Sequence, residues 1–178
     1  MNRVVVKVGG SLYDWPPLAV RLRQFLDQFE RHRVWVVPGG GPFADAVRFV
    51  DQTYHLGEEA AHWLALQSLR LAADFLRYLL PGWQNAIVDM YRFAIEDEAR
   101  PDHLPHIWDV TSDSLAARLA RVVEAQHLIL LKSVDPGTDW LTNGVVDEHF
   151  SSIATIAPFR IEVINFRSWQ PTDLRTTT

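Results

Sequence analysis

Cysteine is absent from this chain of 178 residues, and so are long apolar runs and an excess of positive charge. Without cysteine the chain can form no disulfide, no thiolate zinc site and no cysteine nucleophile. No apolar run approaches the roughly 18 residues of a membrane span, so we expect no membrane association. The formal net charge of −5 argues against a general nucleic-acid binder, which usually presents a basic face. These absences favour a globular protein of a reducing, cytoplasmic compartment.

Several signatures of known binding sites are absent as well. The chain has no G-x-x-x-x-G-K-[ST] motif and no G-x-G-x-x-G after a strand, which argues against a P-loop enzyme and a dinucleotide-binding domain. Seven histidines are present, but His103 and His106 lie in a proline-containing stretch and no H-E-x-x-H pattern exists. We therefore predict no metal site. The length is that of one ordinary domain, which we expect to span residues 1–178.

Two short β-branched runs that end in glycine are the most informative feature present. Val4-Val5-Val6-Lys7-Val8 is followed by Gly9-Gly10-Ser11, and Val34-Trp35-Val36-Val37-Pro38 is followed by Gly39-Gly40-Gly41. Such runs are typical of buried parallel strands. Glycine lets the backbone approach a ligand closely, and a helix that follows presents unpaired N–H groups to an anion. The two segments predict a phosphate-binding site.

Strand and helix patterns alternate along the rest of the chain. We expect strands at 3–8, 34–37, 86–88, 127–131 and 161–164, and helices from Leu18, over 43–50, over 58–80 and from a cap at Ser112. Residues 96–107 read as a loop, and the Thr176-Thr177-Thr178 tail is expected to fray. This order predicts an α/β fold, a three-layer α-β-α sandwich with a mainly parallel sheet.

The carboxyl edge of that sheet is the expected binding site. Lys7, Gly9, Gly39 to Gly41 and Lys132 all fall at this edge. Lys7 in an apolar strand has two interpretations. It either extends to solvent, as lysines commonly do, or pairs with a bound anion. The adjacent Gly9-Gly10-Ser11 favours a phosphate partner.

Other residues keep alternatives open. Ser112 and Asp113 fit a purely structural helix start, although Asp113 could also orient Lys7 or bind a metal. Lys132-Ser133-Val134-Asp135 is either an ordinary turn or a nucleotide site. The aromatic residues Trp63, Phe75, Tyr78 and Trp83 indicate a core or a subunit interface, and Arg118 and Arg121 indicate a solvated helix face.

Four motifs in order resemble the amino acid kinase family, which includes the aspartate, acetylglutamate, uridylate and isopentenyl phosphate kinases. They are V-V-V-K-V-G-G-S-L, V-V-P-G-G-G-P-F-A-D, D-V-T-S-D-S-L-A-A and L-L-K-S-V-D, and they cover most of the chain. The resemblance is strongest to the branch that serves methanofuran and methanopterin-linked one-carbon metabolism, which shares P-G-G-G-x-F-A, T-S-D-S-L and the step Asp147-Glu148-His149-Phe150.

The resemblance implies transfer of the ATP γ-phosphoryl group to a phosphate or carboxylate of a small metabolite, with Mg²⁺ arriving with ATP. It implies that Lys7 neutralises the transferring group and that Asp113 holds Lys7. Gly9, Gly10 and Ser11 would contact the phosphates, and Lys132, Ser133 and Asp135 would line the nucleotide side. Gly39, Gly40, Gly41 and Ser112 would face the acceptor.

The chain departs from the family pattern in its nucleotide half. It has no lysine after Phe150 where relatives carry one on a late helix, and the stretch after Asp135 is short. Arg160 or Arg167 would have to supply the missing charge. A second hypothesis is therefore a binding or regulatory protein that keeps the fold with weakened catalysis, and a third is a subunit of a larger complex. We also predict a homodimer formed through the helix over 58–80.

Overall fold

Four parallel strands form the sheet of this protein, whose computed structural model describes residues 1–171. The strands are β1 (Arg3–Val8), β2 (Arg33–Pro38), β3 (His127–Lys132) and β4 (Arg160–Asn165), in the spatial order β2-β1-β3-β4. Every neighbouring pair is parallel. The predicted parallel sheet is confirmed, while the predicted fraying of Thr176-Thr177-Thr178 lies outside the described residues.

Six α-helices connect and cover these strands in the described part of the chain. They are α1 (Leu18–Leu26), α2 (Gly41–Tyr54), α3 (Glu58–Leu79), α4 (Met90–Asp97), α5 (Ser112–Val122) and α6 (Glu148–Thr155). The sequence predicted α1, α2, α3 and α5 and missed α4 and α6. Helix α2 is longer than the expected 43–50, because it begins within the glycine run and continues to Tyr54.

The side chains of β1 alternate between two separate cores, as the period of two in a strand requires. Val4, Val6 and Val8 pack with α1 and the second half of α3. Val5 packs on the opposite face with α4, α5 and the first half of α3. Helices thus cover both faces of the sheet, which confirms the three-layer α-β-α sandwich.

The strand order creates a switch point between β1 and β3. After β1 the chain moves outward to β2, and it then crosses back to β3 on the other side of β1. Connections that leave two neighbouring strands in opposite directions open a crevice at their carboxyl ends, where α/β proteins bind ligands. In this chain the crevice lies beyond Val8 and Lys132.

Three local predictions were wrong. Residues 86–88 form no full strand, because a 3₁₀ turn at Gln84–Ala86 leaves only one isolated bridge between Val36 and Ile87. The loop predicted over 96–107 begins at residue 98, because α4 continues to Asp97. The cap of α5 is Thr111, whose side chain accepts from the amide of Asp113 at 3.3 Å, so Ser112 is the first helical residue.

The four aromatic residues do not form one shared surface. Phe75 contacts the ring of Tyr13 at 5.2 Å between centroids, and Trp83 donates to Asp27 at 3.1 Å. Trp63 is half-buried, whereas Tyr78 is 89% exposed. Within residues 1–171, no helix combines the length and the apolar character that a membrane span requires.

Arg118 is buried, so its predicted place on a solvated helix face was wrong. Its guanidinium donates two hydrogen bonds to Asp97, from Nε at 2.7 Å and from Nη2 at 2.9 Å. Asp97 is the last residue of α4, and this bidentate pair joins α4 to α5 beside the core that contains Val5. Arg121, one turn later, is exposed as expected and reaches only within 3.8 Å of Asp102.

We expect Arg118→Met to lower the free energy of unfolding by about 3 kcal/mol, because it leaves Asp97 buried without its main partner. Arg121→Met, at an exposed position of the same helix, should change stability by at most about 0.5 kcal/mol. Urea denaturation of both variants measures the difference. Equal losses in the two variants would show that the buried pair adds nothing beyond surface electrostatics.

Candidate functional site

Lys7 and Lys132 face the same side of the sheet. Lys7 follows Val5 by two residues in β1, and Lys132 follows Leu130 by two in β3. Val5 and Leu130 both belong to the core that α5 covers, so the two lysine side chains point toward the start of α5. Lys7 lies opposite Leu130 in the parallel register, near the carboxyl end of both strands.

A single carboxylate, that of Asp113, binds both lysines. Lys7 Nζ lies 2.7 Å from Asp113 Oδ1, and Lys132 Nζ donates to Asp113 Oδ2 at 2.6 Å. The side chains of Lys7 and Asp113 are each 5% exposed, and that of Lys132 is 11% exposed. Lys7 therefore does not extend to solvent. The cluster carries two positive charges against one negative charge, and this excess favours a bound anion.

The pKa values of the cluster follow from this charge balance. Burial by itself would raise the pKa of Asp113, but the adjacent ammonium groups of Lys7 and Lys132 bring it below its usual range. Burial and the charge of Lys7 lower the pKa of Lys132 to about 8, against the opposing effect of Asp113 and Asp147. Asp113 is therefore ionised at neutral pH, and Lys132 loses its proton as the pH rises through about 8.

Asp147 fixes the helix turn that carries Asp113. One of its oxygens accepts from the hydroxyl of Thr111 at 2.5 Å and from the amide of Ser114 at 3.1 Å. The other oxygen accepts from the hydroxyl of Ser114 at 2.5 Å and from the amide of Phe150 at 2.6 Å, which caps α6. The sequence singled out Asp147 only as part of a family motif. Its structural task is to join the starts of α5 and α6.

The two glycine segments touch each other. A side chain at Gly10 would place its Cβ 2.1 Å from the amide nitrogen of Gly41, and one at Gly39 would reach 2.4 Å from the amide nitrogen of Gly10. Such distances are far below van der Waals contact, so only glycine allows this approach. Gly9 closes the segment on the β3 side, where its amide donates to the carbonyl of Leu131 at 2.8 Å.

A cavity of about 660 Å³ opens beside these segments. Gly10, Ser11, Gly40, Gly41 and Ser112 form its polar wall. Its apolar wall comes from α3, α5 and the irregular segment between α4 and α5, and comprises Ala65, Leu66, Leu69, Ile107, Trp108, Val110 and Leu115. Arg48 lies over the ring of Trp108, 5.5 Å from its centroid. This size and mixed lining suit a small metabolite with one anionic group.

The remaining predicted residues lie around this centre. The hydroxyl oxygens of Ser133 and Ser11 are 2.8 Å apart, so Ser133 joins the ends of β3 and β1. Asp135 does not line the cavity; it accepts from Asn165 Nδ2 at 2.8 Å. Gly9, Lys7, Lys132 and Asp113 stand behind the cavity wall rather than on it.

The two arginines proposed to replace the missing lysine differ in position. Arg167 lines the cavity and donates to Asp14 at 2.6 Å and to the carbonyl of Ser11 at 3.1 Å. Arg160 begins β4 and therefore lies at the amino edge of the parallel sheet, opposite the glycine segments. Only Arg167 is placed to add charge near the site.

His62 is a cavity residue that sequence reasoning missed. It lies on α3, is 8% exposed, and burial lowers its pKa to about 4. A histidine with so low a pKa is neutral at physiological pH and is a weak base. Its place on one face of a long amphipathic helix was the only available signal, and that signal does not separate a cavity wall from a core.

Comparisons with solved structures show the fold. The solved uridylate kinase of Archaeoglobus fulgidus aligns with a TM-score of 0.66 at 20% identity over 92% of this chain and 90% of that chain. The UMP kinase of Ureaplasma parvum aligns with a TM-score of 0.65 at 13% identity over 96% of this chain and 92% of that chain. At these identities the likeness shows the fold, which is that of small-molecule kinases.

A sequence relative makes the assignment. The [5-(aminomethyl)furan-3-yl]methyl phosphate kinase of Methanocaldococcus jannaschii is 30% identical over 146 residues, which cover 74% of this chain. The match spans 66%, about two thirds, of that relative's length. No family model matches the sequence. The chain belongs to the amino acid kinase family, whose members are phosphotransferases, as the four motifs predicted.

The charge of Lys132 predicts a pH dependence. Its folded pKa of about 8 lies below the ordinary 10.5, so the ammonium is lost as pH rises through 8, and with it part of the attraction for a phosphate. We expect kcat/KM for phosphoryl transfer to fall above pH 8, since this ratio reports groups of the free enzyme. Lys132→Arg keeps its charge at alkaline pH and should remove this fall. A pH–rate profile checks both proteins, and an unchanged alkaline limb in the variant would assign the titration to another group.

Proposed function

We propose that this protein transfers the γ-phosphoryl group of ATP to a phosphate or carboxylate of a small metabolite. The observation that carries the proposal is the buried cluster in which Lys7 and Lys132 share Asp113 directly behind the two glycine segments. Phosphoryl transfer needs little covalent help from a protein and depends mainly on positioning and neutralisation of charge. Two buried ammonium groups with one counter-charge suit that task.

Each predicted site residue has a role in this proposal. Lys7 neutralises the transferring group, while the amide of Gly10 and the hydroxyl of Ser11 bind phosphate oxygens; Gly9, whose amide donates to Leu131, fixes the turn that presents them. Lys132, Ser133 and Asp135 serve the nucleotide side. Gly40, Gly41 and Ser112 face the acceptor, and Gly39 packs behind them against Gly10. Asp113 keeps both lysines in place. Because Asp113 is occupied by two ammonium groups, Mg²⁺ enters with ATP, where it offsets phosphate charge.

The chemistry of the site favours an acceptor that is already anionic. In the reaction an acceptor oxygen forms a bond to the γ-phosphorus, the bond to the β–γ bridging oxygen breaks, and ADP leaves with the electron pair. A neutral alcohol would need a base to take its proton. Asp113 is held ionised between two lysines and His62 has a pKa of about 4, so both are weak bases. A phosphate or carboxylate needs neither.

The acceptor that we favour is a flat ring bearing a phosphate, of the kind named for the M. jannaschii relative. The apolar wall of the cavity, with Trp108 and Ile107, offers contact for a ring. Arg48 lines the same cavity and pairs with Asp45 at 2.7 Å; in this proposal it exchanges that carboxylate for the phosphate of the acceptor. We further propose a role in methanofuran and methanopterin-linked one-carbon cofactor synthesis, in the cytoplasm; the similarity to the M. jannaschii relative supports the pathway. The homodimer through α3 stays a prediction.

We expect Lys7→Met to lower kcat for ADP formation at least 100-fold, because one of two charges on the transferring group is lost. The assay couples ADP release to acceptor phosphorylation, with aminomethylfuran phosphate, UMP and simple carboxylates as acceptors. Arg121→Met is the matched control: Arg121 is exposed and does not line the cavity, so this variant should retain full activity. Undiminished turnover by Lys7→Met would eliminate Lys7 as the catalytic lysine.

A regulatory binding protein is the alternative to a kinase, and one feature of the sequence favours it. Helix α6 has the sequence Glu-His-Phe-Ser-Ser-Ile-Ala-Thr and carries no lysine. Calorimetry with ATP and Mg²⁺ separates the two readings. Saturable nucleotide binding without turnover of any acceptor would support the regulatory protein, whereas turnover that depends on Lys7 would support the kinase.

A further inference from the structure

A cluster of three potential metal ligands lies next to the cavity residue His62, outside the residues assigned to phosphoryl transfer. Glu98, His103 and His106 follow α4 in the segment 98–108, and one donor atom from each lies within 4.8 Å of the others. Glu98 Oε1 is 2.9 Å from His106 Nε2 and 3.7 Å from His103 Nδ1. The spacing Glu-x₄-His-x₂-His matches no motif used in the sequence analysis, which is why no metal was predicted.

The two separations from Glu98 are close to those that a coordinated ion imposes, and the histidine donor atoms lie within 4.8 Å of each other. Tetrahedral Zn²⁺ with ligand bonds of about 2.0–2.1 Å holds its ligand atoms roughly 3.4 Å apart. The His103–Glu98 separation of 3.7 Å already approaches this value, and the His106–Glu98 pair at 2.9 Å needs to open slightly. His103 Nδ1 gives up only a 3.2 Å contact with the carbonyl of Leu104.

A second carboxylate orients His106 from behind. Its Nδ1 lies 2.7 Å from Glu59 Oε2 on α3, while Nε2 points to Glu98. Glu59 is itself held by the indole N–H of Trp63 at 2.7 Å. A histidine ligand usually has its other ring nitrogen bound to a carboxylate in this way, which fixes the tautomer and the ring. Stacking on His62, with ring centroids 4.5 Å apart, fixes the same ring further.

We propose that Glu98, His103 and His106 bind a borderline divalent cation of the Zn²⁺ type, which fixes the segment 98–108 against the acceptor cavity. Two imidazoles and one carboxylate suit Zn²⁺, Ni²⁺ or Co²⁺, whereas Mg²⁺ prefers oxygen ligands, so this ion differs from the one that accompanies ATP. Three protein ligands leave a fourth position open to water or a small anion.

The metal ligands are linked to the cavity because the residues that follow His106 in the sequence line it. Ile107 and Trp108 directly follow His106 and line the cavity, and the indole of Trp108 donates to Asp51 on α2 at 2.9 Å. His62, which stacks on His106, also lines the cavity. An ion at Glu98, His103 and His106 therefore joins the end of α4, the irregular segment and α3 into one rigid wall.

The test titrates Zn²⁺ or Co²⁺ into tag-free protein that has been stripped with a chelator, and measures binding by calorimetry and by the visible absorption of Co²⁺. We expect one ion per chain in the unmodified protein and loss of that binding in His103→Gln and in His106→Gln. Glu59→Gln should weaken binding roughly 10–100-fold, the usual effect of removing an outer carboxylate. His55→Asn, at an exposed histidine outside the cluster, is the control and should bind normally.

Hydrogen exchange provides a second readout that needs neither nucleotide nor acceptor, so its result is independent of the proposed kinase activity. Amides of 98–108 should exchange more slowly when Zn²⁺ is bound, in the unmodified protein and in His55→Asn but not in His106→Gln. Near-UV circular dichroism confirms that each variant is folded, and Glu98→Gln replaces any histidine variant that is not. Absence of saturable binding, or binding that persists in the folded ligand variants, would overturn the proposal.

Discussion

The site depends on one carboxylate held between two ammonium groups in the interior. Lys7 and Lys132 come from neighbouring strands and would repel each other if they were buried side by side without Asp113. Asp113 balances only one of the two charges. In the proposed function a phosphate group balances the remaining charge, in the crevice between β1 and β3 where α/β folds bind ligands.

Asp113 can bind both lysines only if it is fixed in the first turn of α5. Residues outside the helix fix this turn. Thr111 caps it, and Asp147 binds its hydroxyl and amide groups while capping α6. The segment that leads from β3 to α6 thus determines where Asp113 lies. A change in that segment therefore reaches the lysines through Asp147, which fixes the helix turn that carries Asp113 and also acts electrostatically on Lys132.

The parts of the fold that follow from short-range periodicity were predictable. The β-branched runs before Gly9 and Gly39 predicted β1 and β2, and their parallel order predicted that Lys7, Lys132 and the glycines share one edge. Helices α4 and α6 were missed because eight residues each give too weak a periodic signal. Arg118 was misplaced because its partner Asp97 lies on the unpredicted α4, and no local pattern reveals such a pair. His62 was missed for the same reason, since its neighbours come from distant segments.

The two walls of the cavity differ in what holds them. The glycine wall is set by backbone contacts so close that a Cβ at Gly10 or Gly39 has no room, which leaves little freedom for sequence change. The opposite wall includes an irregular stretch held by side-chain contacts, from Trp108 to Asp51 and from His106 to Glu59 and Glu98. In the proposed function, phosphate binding therefore belongs to the glycine wall. Recognition of the rest of the acceptor belongs to the opposite wall, where side chains can change without disturbing the charges that bind the phosphoryl group.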